Sequence, residues 1–364
     1  MTQGSVLWYI IFPLVILGIA MWRFKKTKTG YVLVFILLFF SMFRGDRVGN
    51  DTLSYMDAGG IAYSTTLYSE GFRGTGFIDD LGHKTEIATN FLNYLVHDYN
   101  LSPRIIIYTY SIISILFLFL GIWRLKINES FGLAFYVLLG LYFFSLTAAR
   151  QMAAVSIYAY GMTFLFNEDK RKYLFFLFTI ISSLFHASAL FYIWVYLLRY
   201  IKVERLSLFL IMVFFSLITI LFTFNITDII YSVFKIDYVA RYMSSSFNEG
   251  GRSILGRLND IVVYGFYLSV FYMRNSNNKG DLYDNIYVLT VVIMTLFGQA
   301  NMLIARVTYY LTIFLCFYIA KVIVERRCLK QQSFLLLFLF YVLLKTYGNR
   351  TWADALTSGY YLMF

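Results

Sequence analysis

The sequence predicts an all-α membrane protein, a polytopic bundle of about 11 to 12 helical crossings. Hydrophobic residues make up 60% of its 364 residues and charged residues only 14%. This composition lies far from that of a soluble domain. The apolar residues also fall into separate runs of near-spanning length, so most of the chain is expected to lie in lipid.

Eleven apolar runs are candidate spans, judged against the roughly 20 apolar residues that a helix needs to cross a bilayer. Several are shorter, so tilted helices or a thinned bilayer are expected. The first is followed by the basic RFKKTK segment and lacks a cleavage site, which predicts a retained helix rather than a signal peptide. The runs cover residues 5–22, 30–43, 104–123, 131–147, 151–166, 174–198, 206–224, 260–273, 285–300, 307–320 and 333–345.

Basic clusters on alternate connections predict the orientation, because cytoplasmic loops carry an excess of lysine and arginine. The clusters are RFKKTK at 23–28, RLK at 124–126, KRK at 170–172, and Arg326 and Arg327 with Lys330. The amino terminus, the polar loop 44–103 and a second loop at 225–259 are therefore expected to face outward. We treat residues 1–364 as a single membrane domain.

The segment 174–198 breaks this alternation, since basic residues flank both of its ends. A short in-and-out hairpin fits better than one span, with its tip at LFHAS around His186. The alternative is a single long helix, which would invert the orientation of everything that follows.

Arginines are enriched on the connections predicted to face outward, where the positive-inside rule does not require them. The guanidinium group offers a planar fork of donors that matches phosphate. We therefore expect an outward site for a phosphate or pyrophosphate group. For any single arginine, headgroup anchoring or salt bridging is the alternative.

Arg150, in SLTAARQMAAV, is the strongest candidate because no polar loop separates the apolar runs on either side of it. A charge within the membrane is costly and usually functional. Arg306, in QANMLIARVTYY, lies in a similarly apolar setting. Arg47, at the start of the polar loop, and Arg241, in YVARYMSSSF, are further candidate phosphate ligands.

Three side chains are candidate catalytic bases. His186 lies within an apolar run, and imidazole suits proton removal from a sugar hydroxyl near neutral pH. Asp51 and Glu86 lie in the polar loop and could orient a hydroxyl or act as base. The alternatives are a buried core histidine and carboxylates that pair with Arg47.

Several function classes are disfavoured by missing motifs. The chain has no Walker-type phosphate loop and no HExxH, GxSxG or CxxC motif, which argues against nucleotide hydrolysis, zinc proteolysis and serine hydrolysis. Cys316 and Cys328 give neither a disulfide framework nor a metal-ligand spacing. We expect no cofactor, no metal and no nucleic-acid partner.

Four segments together resemble the EpsG-like proteins, which are Wzy-type polymerases of bacterial surface polysaccharides. They are VGNDTLSY, KTEIATNFLNYLV, AARQMAAVSIYAYG and KRKYLFFLFTIISSLFHASALFY, in that order over roughly residues 40–200. The Arg150-Gln151 pair and the Phe185-His186-x-Ser188 element are the most specific parts of the resemblance.

The resemblance implies an enzyme of the bacterial cytoplasmic membrane, with a fold of the glycosyltransferase C kind and an active site facing outward. Such an enzyme joins undecaprenyl-pyrophosphate-linked repeat units into an O-antigen, capsule or exopolysaccharide. Arg150, helped by Arg306 and Arg47, would stabilise the leaving pyrophosphate without a metal, and the reaction would invert the anomeric centre. A chain-length regulator and a flippase are the implied membrane partners.

Two other function classes compete with this interpretation. A flippase of lipid-linked oligosaccharides would need charged residues along a path through both faces, and usually internal repeats, which the sequence does not show. A polysaccharide ligase or a membrane O-acyltransferase is the other alternative. A ligase would use the same donor and similar residues, so the resemblance alone favours the polymerase.

Overall fold

The computed structural model is helical with short connections in the parts of the chain that it describes. No strand lies within them, although Glu204 and Lys279 pair as an isolated antiparallel bridge. The predicted all-α membrane bundle is confirmed. The described residues are 12–20, 28–45, 48–49, 51–52, 55, 86–166, 171–221, 254–274, 279–297 and 302–325.

Two compact units divide the described chain, the first running to Ile193 and the second beginning at Trp194. After a helical stretch at residues 12–20, the first unit contains α1 Lys28–Met42, α2 Ile87–Asp98, α3 Arg104–Arg124, α4 Glu129–Leu138, α5 Leu141–Thr147, α6 Ala149–Phe166 and α7 Tyr173–Phe185. A 3₁₀ helix, Ala187–Tyr200, follows α7. The second unit contains α8 Arg205–Leu221, α9 Ile254–Met273, α10 Leu282–Phe297 and α11 Met302–Glu325.

By length and hydropathy, α3 is the one described helix able to cross a membrane by itself, and α4 with α5 forms a second candidate span bent by 62°. Gly140, in the left-handed conformation at φ 77°, makes this break inside the run predicted at 131–147. Six further apolar helical stretches of 10–17 residues lie within α1, α7, α8, α9, α10 and α11. The run at 333–345 lies outside the described residues, and the number of crossings stays a prediction.

The break predicted within LFHAS lies at His186. This residue ends α7 in an extended conformation, with φ −157° and ψ 115°, so no single helix runs through 174–198. The 3₁₀ helix that follows has 14 residues. At a rise of about 2.0 Å per residue it reaches about 28 Å, close to the roughly 30 Å of a bilayer's hydrocarbon core.

Helix α6 is the buried centre of the first unit, and nearly every residue along it is enclosed. Small side chains let its neighbours approach closely. A Cβ at Gly161 would lie 2.6 Å from Cβ of Phe178 on α7. The Ser182 hydroxyl of α7 donates to the Ala154 carbonyl oxygen at 2.7 Å. This packing fixes the position of the first turn of α6.

Helices α3, α6 and α7 give the first unit two chemically different ends. The Arg124 guanidinium lies 3.7 Å from the ring centroid of Phe164, so the ends of α3 and α6 meet there. We call this the basic end, because Arg124 is joined there by Lys126, Arg171 and Lys172. We call the opposite end the loop end; it carries Arg104, Arg150 and Phe185. Helix α3, with 21 residues, separates the two ends by about 30 Å.

A buried ionic cluster holds one end of the second unit. Asp284, in the first turn of α10, lies 2.7 Å from Arg274 Nη1 and 3.3 Å from Arg205 Nε. The Tyr318 hydroxyl donates to it at 2.9 Å. Burial raises the pKa of Asp281, but its bond to Arg274 and the surrounding positive charges lower the pKa overall. The cluster therefore ties together residues from α8, α10 and α11 and the end of α9.

In the first unit, segment 48–52 docks on the carboxyl end of α5. Gly49 has a φ of +86°, and a Cβ there would overlap the carbonyl oxygen of Leu146. The Thr52 hydroxyl lies 2.7 Å from the Val48 carbonyl oxygen and 3.2 Å from that of Leu146. Only glycine satisfies both the backbone conformation and the close approach.

Substitution Gly49→Ala should therefore destabilise the protein by about 1–3 kcal/mol, because it strains the backbone and forces the segment off α5. The measurement is the melting midpoint of the protein purified in detergent. Gly265→Ala is the matched control, since a Cβ there meets nothing within 4 Å. A midpoint of Gly49→Ala equal to that of wild type would contradict the docking.

Candidate active site

Arg150 and Glu86 form an ion pair at the loop end of the first unit. Arg150 Nη1 lies 2.7 Å from Glu86 Oε2, and the two side chains are 26% and 16% exposed. Among the described residues, Glu86 Oε2 has no well-aligned hydrogen-bond donor, so the contact is chiefly Coulombic. Partial burial strengthens such an attraction relative to a pair in open water.

The position of Arg150 follows from the break between α5 and α6. The chain leaves helical geometry at Ala148, with φ −100° and ψ 57°, and α6 begins at Ala149. A cation in the first turn is unfavourable beside the partial positive charge of a helix amino terminus. No acidic residue lies in the first turn of α6. Glu86 therefore supplies the compensating charge, and a bound anion could supply the same charge.

The docked segment brings Asp51 and Tyr55 to this ion pair. The Tyr55 backbone N–H donates to the Asp51 carbonyl oxygen at 3.1 Å, and the Tyr55 side chain packs on the apolar cluster that contains Ala149, the residue before Arg150. Burial raises the pKa of Tyr55 well above its ordinary value; Arg150 opposes this rise, and the Asp51 carboxylate adds to it. The phenol is therefore a neutral hydrogen-bonding group rather than a base.

Tyr110 of α3 connects Tyr55 to the helix that follows Glu86. The two tyrosine rings have centroids 5.7 Å apart. The hydroxyl of Tyr110, which is fully buried, lies 3.0 Å from Thr89 Oγ1 on α2. Around Tyr110, an apolar cluster contains Val96, Ile106, Ala149 and Ala153. These contacts hold α2 against α3 and α6, which places Glu86 beside Arg150.

Arg44 anchors the docked segment from inside the bundle. Its side chain is fully buried, and Nη1 donates to the Ser41 carbonyl oxygen at 2.6 Å. The same guanidinium lies 3.4 Å from the hydroxyls of Ser111 on α3 and of Thr52. Arg104 Nη1 donates to the Arg44 carbonyl oxygen at 3.2 Å. Arg44 thereby joins the end of α1, helix α3 and the segment that carries Asp51.

His186 is joined to the same end of the unit through Phe185. The Phe185 ring lies 6.5 Å from that of Tyr110, centroid to centroid. The half-buried imidazole follows directly, and its Nδ1 lies 2.7 Å from Ser188 Oγ. This bond fixes the orientation of the ring.

The seven predicted site residues fall into three groups. The structure brings Glu86, Arg150 and Asp51 together and joins His186 to them through aromatic side chains. Arg306 lies in the second unit, half-buried in α11, where it interacts electrostatically with Tyr309. The remaining two, Arg47 and Arg241, lie outside the described residues.

Sequence reasoning did not assign roles to the polar residues that support this site. Tyr55, Thr89 and Tyr110 stand in tyrosine-rich or apolar segments, where a single polar side chain gives no signal by itself. The fully buried Arg44 belongs to the same arginine-rich loop mouth as Arg47, and its place directly after an apolar run was the available signal.

The apolar helices and their bundle define a membrane protein. The family model described as the EpsG family matches residues 28–361, and the chain belongs to this family. It is a family of Wzy-like polysaccharide polymerases, so the resemblance read from the motifs is confirmed. Neither the curated proteins nor the solved structures give a match to the chain.

The energy of the ion pair can be measured by a double-mutant cycle. Arg150→Gln, Glu86→Gln and the double variant should give a coupling energy of about 1 kcal/mol, because each single change leaves a partly buried charge without its partner. The readout is the shift of the melting midpoint in detergent.

The control cycle combines Glu86→Gln with Arg124→Gln at the basic end, where the two effects should add within about 0.5 kcal/mol. A coupling as small in the first cycle as in the control would show that Arg150 and Glu86 do not interact.

Proposed function

We propose that this protein joins undecaprenyl-pyrophosphate-linked oligosaccharide repeat units into a surface polysaccharide at the outer face of the bacterial cytoplasmic membrane. Family membership supports the coarser statement, a polysaccharide polymerase that takes lipid-linked saccharides. The observation that carries the finer proposal is the partly buried ion pair between Glu86 and Arg150, of which Arg150 lies in the first turn of α6.

In the proposed reaction, a hydroxyl of one lipid-linked unit attacks the anomeric carbon that carries the pyrophosphate of another. A new carbon–oxygen bond forms while the bond to the pyrophosphate oxygen breaks. The hydroxyl proton passes to a base on the protein, and undecaprenyl pyrophosphate leaves. Attack from the face opposite the leaving group inverts the anomeric centre.

Arg150 is the proposed ligand of the leaving pyrophosphate. Negative charge grows on the pyrophosphate as its bond breaks, so a fixed cation stabilises the transition state more than the ground state. The guanidinium fork and the amino terminus of α6 favour the same anion. This arrangement can supply the charge that a divalent metal supplies in other transferases.

Glu86 is the proposed partner that Arg150 exchanges for substrate. In the free protein the carboxylate offsets the charge of Arg150 at 2.7 Å. A bound pyrophosphate would compete for the same guanidinium and release the carboxylate. The released Glu86 could then orient or deprotonate the attacking hydroxyl.

His186 is the proposed general base, with Asp51 and Glu86 as the rival groups. In the tautomer in which Nδ1–H donates to Ser188 Oγ, Nε2 carries the lone pair that would accept the hydroxyl proton. Ser188 thus acts as a positioning residue for the base. The Asp51 carboxylate acts electrostatically on Tyr55 and could serve the same role for a hydroxyl bound there.

The two ends of the first unit support an outward-facing site. Arg124, Lys126, Arg171 and Lys172 lie at the basic end, which the positive-inside rule assigns to the cytoplasm. Tyr31, Trp123 and Tyr173, near the same end, are 61%, 60% and 63% exposed, as expected of an aromatic belt at a membrane interface. Arg150 and His186 lie at the opposite end.

Three further arginines are proposed as additional phosphate ligands. Arg47 adjoins the docked segment in sequence, and Arg306 is half-buried in an apolar helix, where a charge is costly to keep without a function. Arg241 is proposed from its sequence setting. A chain-length regulator and a flippase are the proposed partners that would set polymer length and deliver the repeat units.

The test of this function is glycan length in cells that lack the protein and receive wild type or variants at matched membrane levels. Wild type should restore a ladder of long chains on a gel. Arg150→Ala and His186→Ala should leave single repeat units, because loss of charge stabilisation or of the base lowers the rate by about 100-fold or more.

Arg124→Ala is the matched control, since it removes a partly buried arginine from the opposite end of the same helix pair. It should restore the ladder. Long chains in the null strain that never reach the surface would instead indicate a transporter. Ladders from Arg150→Ala would remove that residue from the mechanism.

A further inference from the structure

We infer that helix α2 lies in the membrane interface at the loop end, with one of its apolar faces embedded among lipid headgroups. The inference goes beyond the proposed function, because it concerns the surface by which the chain meets the bilayer. It requires only that the chain is a membrane protein. The face in question, which we call the outer face of α2, carries Ile87, Phe91 and Leu95.

The side of α2 that packs on the protein is a different one. Val96 is buried in the apolar cluster around Tyr110, and Leu92 packs against that cluster. The Thr89 hydroxyl lies 3.0 Å from the Tyr110 hydroxyl. Thr89, Leu92 and Val96 have the i, i+3, i+7 spacing of one helix face. This face attaches α2 to the bundle and does not include the outer face.

The outer face is an apolar stripe turned away from the protein. Ile87, Phe91 and Leu95 are spaced by four residues, so they lie one above another on the helix. Ile87 and Phe91 are exposed, Phe91 by 50%, and Leu95 is half-buried. The polar residues Asn90 and Asn93 lie on another side of α2. The apolar side of this helix is therefore wider than its contact with the protein.

The apolar patch continues into the turn that follows α2. Tyr99, four residues after Leu95, is 66% exposed, and Leu101 is also exposed. The Leu101 backbone N–H donates to the Val96 carbonyl oxygen at 2.9 Å, which holds the turn against the end of α2. Single exposed apolar residues are ordinary on a protein surface, whereas a patch of several large ones indicates an interaction site.

The position of the patch identifies lipid as its partner. The turn at 99–103 joins α2 directly to α3, the described helix that can cross a membrane by itself. Ile112, Leu116 and Trp123 are exposed along one side of α3, as expected of a surface in contact with acyl chains. The patch lies at the loop end of this helix. An amphipathic helix at such a boundary lies along the interface, with its apolar face buried about 5–10 Å.

Aromatic residues near the two ends of α3 support the same placement. Trp123 and Tyr173 are exposed near the basic end, and Tyr99 is exposed near the loop end. The length of α3 separates these two levels by about 30 Å. Tryptophan and tyrosine are enriched at both interfaces of a bilayer, so Tyr99 marks the second interface.

An interfacial α2 holds the ion pair of the candidate site at the level of the headgroups. Glu86 directly precedes α2 and lies 2.7 Å from Arg150. Lipid phosphates lie at this level, so a lipid-linked pyrophosphate reaches Arg150 without leaving the membrane surface. This consequence rests on the proposed function, whereas the placement of α2 does not.

The test measures the surroundings of single nitroxide spin labels on the full chain in lipid nanodiscs. Labels are attached through Phe91→Cys and Tyr99→Cys on the patch, and through Asn93→Cys as the matched control on the polar side of α2. The background carries Cys328→Ser, and the fully buried Cys316 should take up no label. Power saturation then compares collisions with oxygen, which concentrates in lipid, and with a nickel chelate, which stays in water.

The oxygen-to-nickel collision ratio at Phe91 and Tyr99 should exceed that at Asn93 by about 3-fold or more, because only the first two labels enter the apolar boundary. Ile87→Cys probes the same face one turn away, so the result does not depend on the folding of one variant. A ratio at the patch equal to that at Asn93 would place the outer face in water and overturn the inference. Loss of collisions with both reagents would also overturn it, because a second copy or another protein would then cover the patch.

The labelled variants also separate this inference from the proposed function. If the patch reports lipid but cells with the wild-type protein form no polymer, α2 is interfacial and the polymerase proposal fails. If the patch reports water while wild type forms polymer, the inference fails and the polymerase proposal stands.

Discussion

A cation in the first turn of a buried helix is the constraint on which the loop end of this protein depends. Arg150 opposes the dipole of α6 and its side chain is partly buried, so it requires a negative partner. Glu86 provides that partner because the Tyr110–Thr89 bond and the apolar cluster around Tyr110 hold α2 on α3. Because Tyr55 packs on the apolar cluster that contains Ala149, the described residues 51, 52 and 55 belong to the same arrangement.

The charges of the first unit are sorted by end as well as by sign. At the basic end, Arg124 lies over an aromatic ring, with lysines nearby. The loop end instead combines arginines with carboxylates and an imidazole. A separation of about 30 Å matches the thickness of a bilayer's hydrocarbon core. Such a unit can offer a cationic, partly desolvated site to a lipid-linked anion at the loop end. Its basic end would then serve only to orient the unit in the membrane.

Much of the fold follows from the sequence, because apolar runs are a local signal and the helices α3 and α6 match the runs at 104–123 and 151–166. Arg150 could also be singled out as a candidate site residue from the sequence, since an arginine without a polar loop around it is exceptional. The pairing of Arg150 with Glu86 was not, because it depends on how α2 packs. The 3₁₀ helix after His186 could not be predicted either, since apolar content does not distinguish a 3₁₀ helix from an α-helix.

The most direct test of the central claim is the affinity of undecaprenyl pyrophosphate for the Glu86→Gln variant in nanodiscs. If Glu86 holds the place of the pyrophosphate, its neutral replacement leaves the charge of Arg150 uncompensated and should tighten binding, by about 5-fold for each 1 kcal/mol of lost competition. The affinity should fall when Arg150→Gln is added. Unchanged or weaker binding by Glu86→Gln would contradict the account, because the ion pair would then only support the fold.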